Sequence, residues 1–270
     1  MQKVKRFFKK HWIDILVLIG VVALFAFFAY SVYTKFNFAK KFGIFYKYFI
    51  TNQGYKLLIT GLGNTAQIAV FGLVIGSLIG TVIAIVKVIP SNGRIVGYAK
   101  KFCAVYVAFF RGTPIVVQLL LGYYILLPLM GVTLPEVTSC ILIFGLNSGA
   151  YISEIMRGGI NSVDVGQLEA ARAVGLSFPV SMVKIVVPQA VKNILPTMGN
   201  EFIALIKETA IVGYVGAMDI TKVFQDQGSN SYEYMIPYLV MALIYIVLVA
   251  IIAFFVKLME RSLAKNERSR

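Results

Sequence analysis

Between Lys56 and Lys87 the chain carries no charged side chain: Leu57–Val86 is one continuous, predominantly apolar run. A helix needs ~20 mostly apolar residues to cross a bilayer, so this stretch already restricts the chain to folds that place it in lipid. Three further runs, Ile15–Thr34, Gly112–Pro135 and Tyr234–Val256, are also free of charge. Lipid offers backbone amides no partner, so such segments must satisfy their own hydrogen bonds, and runs of this length do so as helices. Composition agrees: of 270 residues, 59% are hydrophobic and 14% are charged, against roughly 25% charged in soluble domains. The expected fold class is an all-α integral membrane protein.

Two more segments qualify once their polar residues are accommodated. Val137–Ser153 is uncharged but short, and becomes a span if it continues through Glu154. Asn193–Gly216 carries Glu201, Lys207 and Glu208. Ionisable groups inside a span are costly, face the bundle interior and mark function. The expectation is about six transmembrane helices.

Charge sets the orientation, because Lys and Arg collect on the cytoplasmic side. The opening "MQKVKRFFKKH" is strongly basic, and no small-residue cleavage site follows the first apolar run, so it reads as a cytoplasmic tail rather than a signal peptide. Lys87–Lys101 and Arg157–Lys192 are basic and fall inside; Gly131–Thr138 has no basic residue and Met218–Glu233 has three acids and one lysine, so both fall outside. The tail Lys257–Arg270 is basic, which places both termini in the cytoplasm. Thr34–Lys56 departs from the rule. It is external yet carries Lys35, Lys40, Lys41, Lys47 and Lys56 among aromatic residues, and is expected to lie along the interface.

The net charge of +14 is accounted for by this topology, and no nucleic-acid partner is expected. Cys103 and Cys140 fall near opposite faces, which argues against a disulfide, and two cysteines make no metal cluster. His11, the single histidine, sits in the basic tail and is not expected to be a ligand.

Between the fourth and fifth spans lies "LEAARAVGLSFPVSMVKIVVPQAV", Leu168–Val191. Gln167–Val174 is rich in strong helix formers, Gly175 stops the helix, and Ser177 with Pro179 restarts one. Ala170, Ala171 and Ala173 are expected to give the first helix a low-profile surface suited to a groove on another protein; an ordinary amphipathic interfacial helix is the plainer reading. The segment resembles the EAA loop of ABC-importer permeases. That pattern is Glu-Ala-Ala, three residues, Gly, nine residues, Ile, one residue, Leu-Pro, and Glu169, Ala170, Ala171, Gly175, Ile185 and Pro188 fall on it, with Val187 where the family has Leu. "YKLLITGLGNTAQIA", "FFRGTPIVVQLLLGYY", "LNSGAYISEIMRGGI" and "MGNEFIALIKETAIVGYVG" resemble the polar-amino-acid branch of the same family, and the likeness runs from about Tyr55 to the C-terminus.

The resemblance implies a MetI-like permease fold in which the EAA loop is a cytoplasmic coupling helix. It implies three protein partners: an ATP-binding cassette ATPase that holds ATP and Mg, an extracytoplasmic substrate-binding protein, and a second permease, identical or similar. No cofactor is expected in this chain, which has no G-x-x-x-x-G-K-[ST] loop; the nearest glycine pair, Gly76 and Gly80, lacks the lysine. The setting is the bacterial cytoplasmic membrane. The expected organisation is a basic N-terminus, extra helix and external segment over 1–54, a permease core over 55–260 with the EAA loop at 167–188, and a basic tail over 261–270.

The polar residues inside the spans are the candidate substrate path. Glu201 and Glu208 are seven apart and share a helix face, as do Asn200 and Lys207 on a neighbouring one. Glu201 with Asn200 suits a substrate ammonium, and Arg111 or Lys207 suits its carboxylate. Interhelical pairing is the alternative for each, and Arg111 is also placed to meet a loop carboxylate or a phospholipid. Asn147, Ser148 and Gly149 suit close helix packing as well as substrate contact, and Glu154 with Arg157 suits a local ion pair. An ion-coupled secondary transporter could also use Glu201, Lys207 and Glu208, but it leaves the EAA segment unexplained. A membrane enzyme lacks any nucleophile–base constellation.

Overall fold

The structure, a computed structural model, describes residues 2–35, 37–90 and 93–268, with side chains at 12, 16–31, 33, 37–90 and 93–263. The expectations for His11 and for most of both basic tails lie outside the described side chains. Among the described residues every regular element is helical. The long elements are α1 (Gln2–Lys35), α3 (Gly54–Val88), α4 (Arg94–Gly112), α7 (Glu136–Asn161), α10 (Val187–Glu208) and α12 (Met235–Arg268). Shorter helices join them: α2 (Phe38–Tyr46), α5 (Ile115–Leu121), α6 (Leu127–Leu129), α8 (Val165–Ala173), α9 (Phe178–Ser181) and α11 (Ile220–Ser231). α3, α7 and α12 are each long and apolar enough to cross a membrane, and α4 with the α5–α6 stretch makes a fourth, bent span.

Small residues build the centre. α3 and α7 run parallel, with Gly72 against Phe144, Gly76 against Ser148 and Gly80 against Ile152. A Cβ at Gly76 would stand 2.8 Å from the Ser148 Cβ, and one at Gly80 would stand 2.9 Å from the Ser153 backbone nitrogen. From the other side, Ile75 and Ile79 lie over Gly145 and Gly149. Lipid supplies no hydrophobic drive for helix association, so close van der Waals approach along such seams takes its place. The pair Gly76 and Gly80, which fails as a phosphate loop, is part of this seam. Ile68, Leu119, Phe144, Leu205 and Val212 fill the core around it.

The third uncharged run does not form one straight helix. The sequence reading took Gly112–Pro135 as a span and Lys87–Lys101 as a loop; instead α4 occupies Arg94–Gly112 and the chain turns by 107° before Ile115. Pro114 is the cause. It disfavours helical geometry at Thr113, which is extended at φ −121°, ψ 145°. The turn leaves α4's last carbonyls without helical partners at a part-buried bend. Gln118 repairs this: its amide nitrogen lies 2.9 Å from the Phe110 carbonyl and 3.0 Å from that of Thr113. Asn147 of α7 donates to the Gln118 oxygen at 2.8 Å, which locks the bend onto the α3–α7 pair. Charge at Arg94, Lys100 and Lys101 had disguised α4 as a loop. Its buried face is Cys103 and Val107, packed with Ile83 and Ala150.

The segment expected as a fifth span, Asn193–Gly216, differs from those limits, and α10 is not among the helices long and apolar enough by composition to cross a membrane. α10 begins at Val187, and Thr209–Val215 tightens into a 3-10 turn. Gly199 allows Val256 of α12 to approach closely. Cys103 and Cys140 are both free and buried.

Candidate functional site

α8 forms at the end of the bundle where α3 and α7 finish. Asp164 caps it, accepting the Gly166 N–H at 2.6 Å, so the helix starts two residues ahead of the expected Gln167. Its end is a Schellman motif: Leu176 N–H bonds the Ala171 carbonyl at 3.2 Å, and Gly175 N–H bonds that of Arg172 at 3.0 Å. The motif needs a left-handed residue, and Gly175 supplies φ +89° without the clash a Cβ brings. Arg172 closes over it, donating to the Leu176 carbonyl at 2.9 Å.

The three alanines do not share one surface. Ala171 is buried at 4%, whereas Glu169, Ala170 and Ala173 point outward. At about 100° per residue, Ala170 and Ala173 lie about 60° apart while Ala171 points about 100° away from Ala170 on the other side, toward the bundle. The outer face is bordered by exposed Val165, Val174 and Val183. Beneath α8 lies a cavity of about 420 Å³ lined by Val88, Ile160, Leu168, Phe178, Met182 and Val186. Past α9 the chain makes a π-turn at Met182–Val186, which contains Ile185, and enters α10 with Pro188 in its first turn. Asn193 of α10 donates to Ser162 at 2.8 Å, so α10 is tied to the loop that leads into α8.

The predicted path residues separate into two groups. Glu201 and Glu208 are both half-buried on one side of α10, about two turns apart. Glu201 accepts a hydrogen bond from Ser148 at 2.9 Å. Asn200 and Lys207 are exposed on the adjacent side. Glu201 has no ion-pair partner among the described residues. Asn147 and Arg111 stand elsewhere. Asn147 directs its amide donors to Gln118 and, at 3.4 Å, to Phe110, within the bend. Arg111 ends α4 with its guanidinium 3.8 Å from Glu154 and 5.5 Å from the centre of the Tyr151 ring.

Glu154 collects three cations from three helices. Lys87 ends α3 and lies 2.8 Å away, Arg157 lies 2.7 Å away, and Arg111 is the third. The Glu154–Arg157 pair was legible from spacing. Lys87 was not, because a residue 67 positions away in sequence gives no local signal. Ser148, expected to serve helix packing or substrate contact, bonds Glu201, a pairing that emerges only when α7 and α10 are side by side.

Residues 91–265 match the family described as "Binding-protein-dependent transport system inner membrane component". The chain is 39% identical over 210 residues to the arginine transport system permease protein ArtQ of Bacillus subtilis (strain 168), an alignment that covers 78% of this chain and 94% of that one. It is 37% identical over 206 residues to a putative glutamine transport system permease protein GlnP of Rickettsia bellii (strain RML369-C), covering 76% and 92%. Among solved structures, one described as an amino acid ABC transporter with histidines superposes with a TM-score of 0.72 at 38% identity, covering 79% of this chain and 98% of that one.

Proposed function

This chain belongs to the family of binding-protein-dependent transport system inner membrane components, and from that premise we propose how its parts divide the work. It is the permease subunit of an amino-acid ABC importer and is not itself an enzyme. The amino acid is polar, delivered by an extracytoplasmic binding protein and moved inward. ATP and Mg are held by a separate ATPase, and a second permease, identical or similar, completes the path. Both termini face the cytoplasm.

The observation that carries the coupling role is α8: a capped, Schellman-terminated helix whose Glu169 and Ala170 face outward at one end of the bundle. Its low profile and single outward acid suit insertion into a groove of the ATPase. Closure of paired ATPases would displace α8. The π-turn at 182–186 and the Asn193–Ser162 bond would pass that displacement to α10. α10 carries Glu201 and Glu208, so the moving helix is also the one that presents carboxylates to the substrate ammonium, with Lys207 and Asn200 alongside. Arg111 and Asn147 serve the path indirectly, by fixing the helix ends that border it.

Purification of the tagged chain in mild detergent tests this reading. A phosphate-loop ATPase should co-purify and be lost on Gly175→Val. Absence of any such ATPase in every detergent tried would overturn it and leave the ion-coupled secondary transporter as the better account.

A further inference from the structure

α2 is a nine-residue helix at the opposite end of the bundle from α8, between α1 and the start of α3. It turns at 3.6 residues per turn and shows three strips. One strip faces the protein. Lys41 pairs with Glu233 at 2.9 Å, and Phe45 is buried, stacking on Phe49, which stacks on Phe224 of α11 at centroid separations of 5.1 and 6.1 Å. The next strip is aromatic: Phe38, Phe42 and Tyr46, spaced four apart and exposed at 47%, 47% and 52%. Ala39 and Gly43 separate it from the third strip, which carries Lys40 and, one residue past the helix end where a π-turn begins, Lys47, both exposed and without an ion pair among the described residues.

These strips identify an occupant. Three large aromatics in water would be unfavourable, and the opposite side of α2 is already committed to α11 and to Glu233 beside α12. The helix adjoins the ends of two membrane spans, α3 and α12, which places it at headgroup depth. Aromatic rings at that depth enter the acyl boundary while lysines beside them reach up to phosphate. We propose that α2 binds an anionic phospholipid, with Lys40 and Lys47 on the headgroup phosphate and Phe38, Phe42 and Tyr46 against the acyl chains. The site explains why this segment breaks the charge rule that the other loops follow: of its exposed lysines, two serve a ligand. It also has a mechanical consequence. Through Lys41–Glu233 and the Phe45–Phe49–Phe224 stack, a lipid held by α2 steadies α11, which follows α10 after a seven-residue 3-10 segment and a short link.

The test uses the full transporter in nanodiscs of phosphatidylcholine with phosphatidylglycerol, with native mass spectrometry counting retained lipids. The wild type should keep phosphatidylglycerol in preference to phosphatidylcholine. Lys40→Gln with Lys47→Gln should cut that preference by roughly fivefold per lysine, from about 1 kcal/mol for each lysine near an anionic surface. Phe42→Ser should lower retention of both lipids. Both lysines are surface positions, so the variant should fold. No preference in the wild type, or an unchanged preference in the double variant, overturns the proposal. So does loss of capture of the purified substrate-binding protein with lipid retention intact, which would make α2 a protein-docking face.

Discussion

Glu201 sits half-buried with Ser148 as its only hydrogen-bond donor among the described residues. A carboxylate so placed suits the cation-receiving role proposed for it. Glu201→Gln keeps the shape and removes the charge, so uptake into proteoliposomes should fall at least tenfold while the ATPase still co-purifies. Unchanged uptake would remove Glu201 from the path. Gly80 makes a different demand, since its Cβ would meet the Ser153 backbone nitrogen and Ile152 together. Gly80→Leu should push α3 off α7 and destabilise the chain by about 1–3 kcal/mol or more, the range for overpacking. A lowered thermal midpoint in detergent is the readout, and a wild-type midpoint would mean that the α3–α7 seam has room for a side chain.

At the scale of elements, the α4–α5 bend and the α8–π-turn–α10 run each rest on a few polar atoms. Gln118→Leu would leave the Phe110 and Thr113 carbonyls and the Asn147 amide short of partners. Each unpaired buried group costs about 1–3 kcal/mol, so this single change should lower stability more than an exposed Gln replacement such as Gln225→Leu. Equal effects would show that the bend is held by Pro114 alone. For α8, Gly175→Val puts a β-branched residue at φ +89°, and Glu169→Lys reverses the outward charge. Both should insert normally, bind the ATPase poorly and lose transport. Normal transport by both would show that α8 is not the coupling element. The outer surface of α8 was misjudged from sequence because Ala171 reads like its neighbours, and only helix phase against the bundle turns it inward.

The whole molecule is a bundle with α8, the proposed coupling helix, at one end and α2, the proposed lipid-binding helix, at the other, linked along the chain by α10 and α11. If transport is driven from the α8 end, uptake should follow ATP and persist when ionophores collapse ion gradients. Uptake that collapses with the gradients and ignores ATP would instead assign Glu201, Lys207 and Glu208 to ion coupling.

The sequence by itself determined the solvent of this protein and the character of its loop. Runs without charge require lipid, and a helix-forming segment stopped by Gly175 is a local property of a few consecutive residues. The EAA spacing carried the family for the same reason. Tertiary structure alone decided which polar residues meet. Lys87 with Glu154, Asn147 with Gln118, and Ser148 with Glu201 are joined across 67, 29 and 53 positions of chain. No local pattern encodes such pairings, because they depend on how closely helices approach. That approach is set in turn by where glycines leave room for a neighbour's side chain.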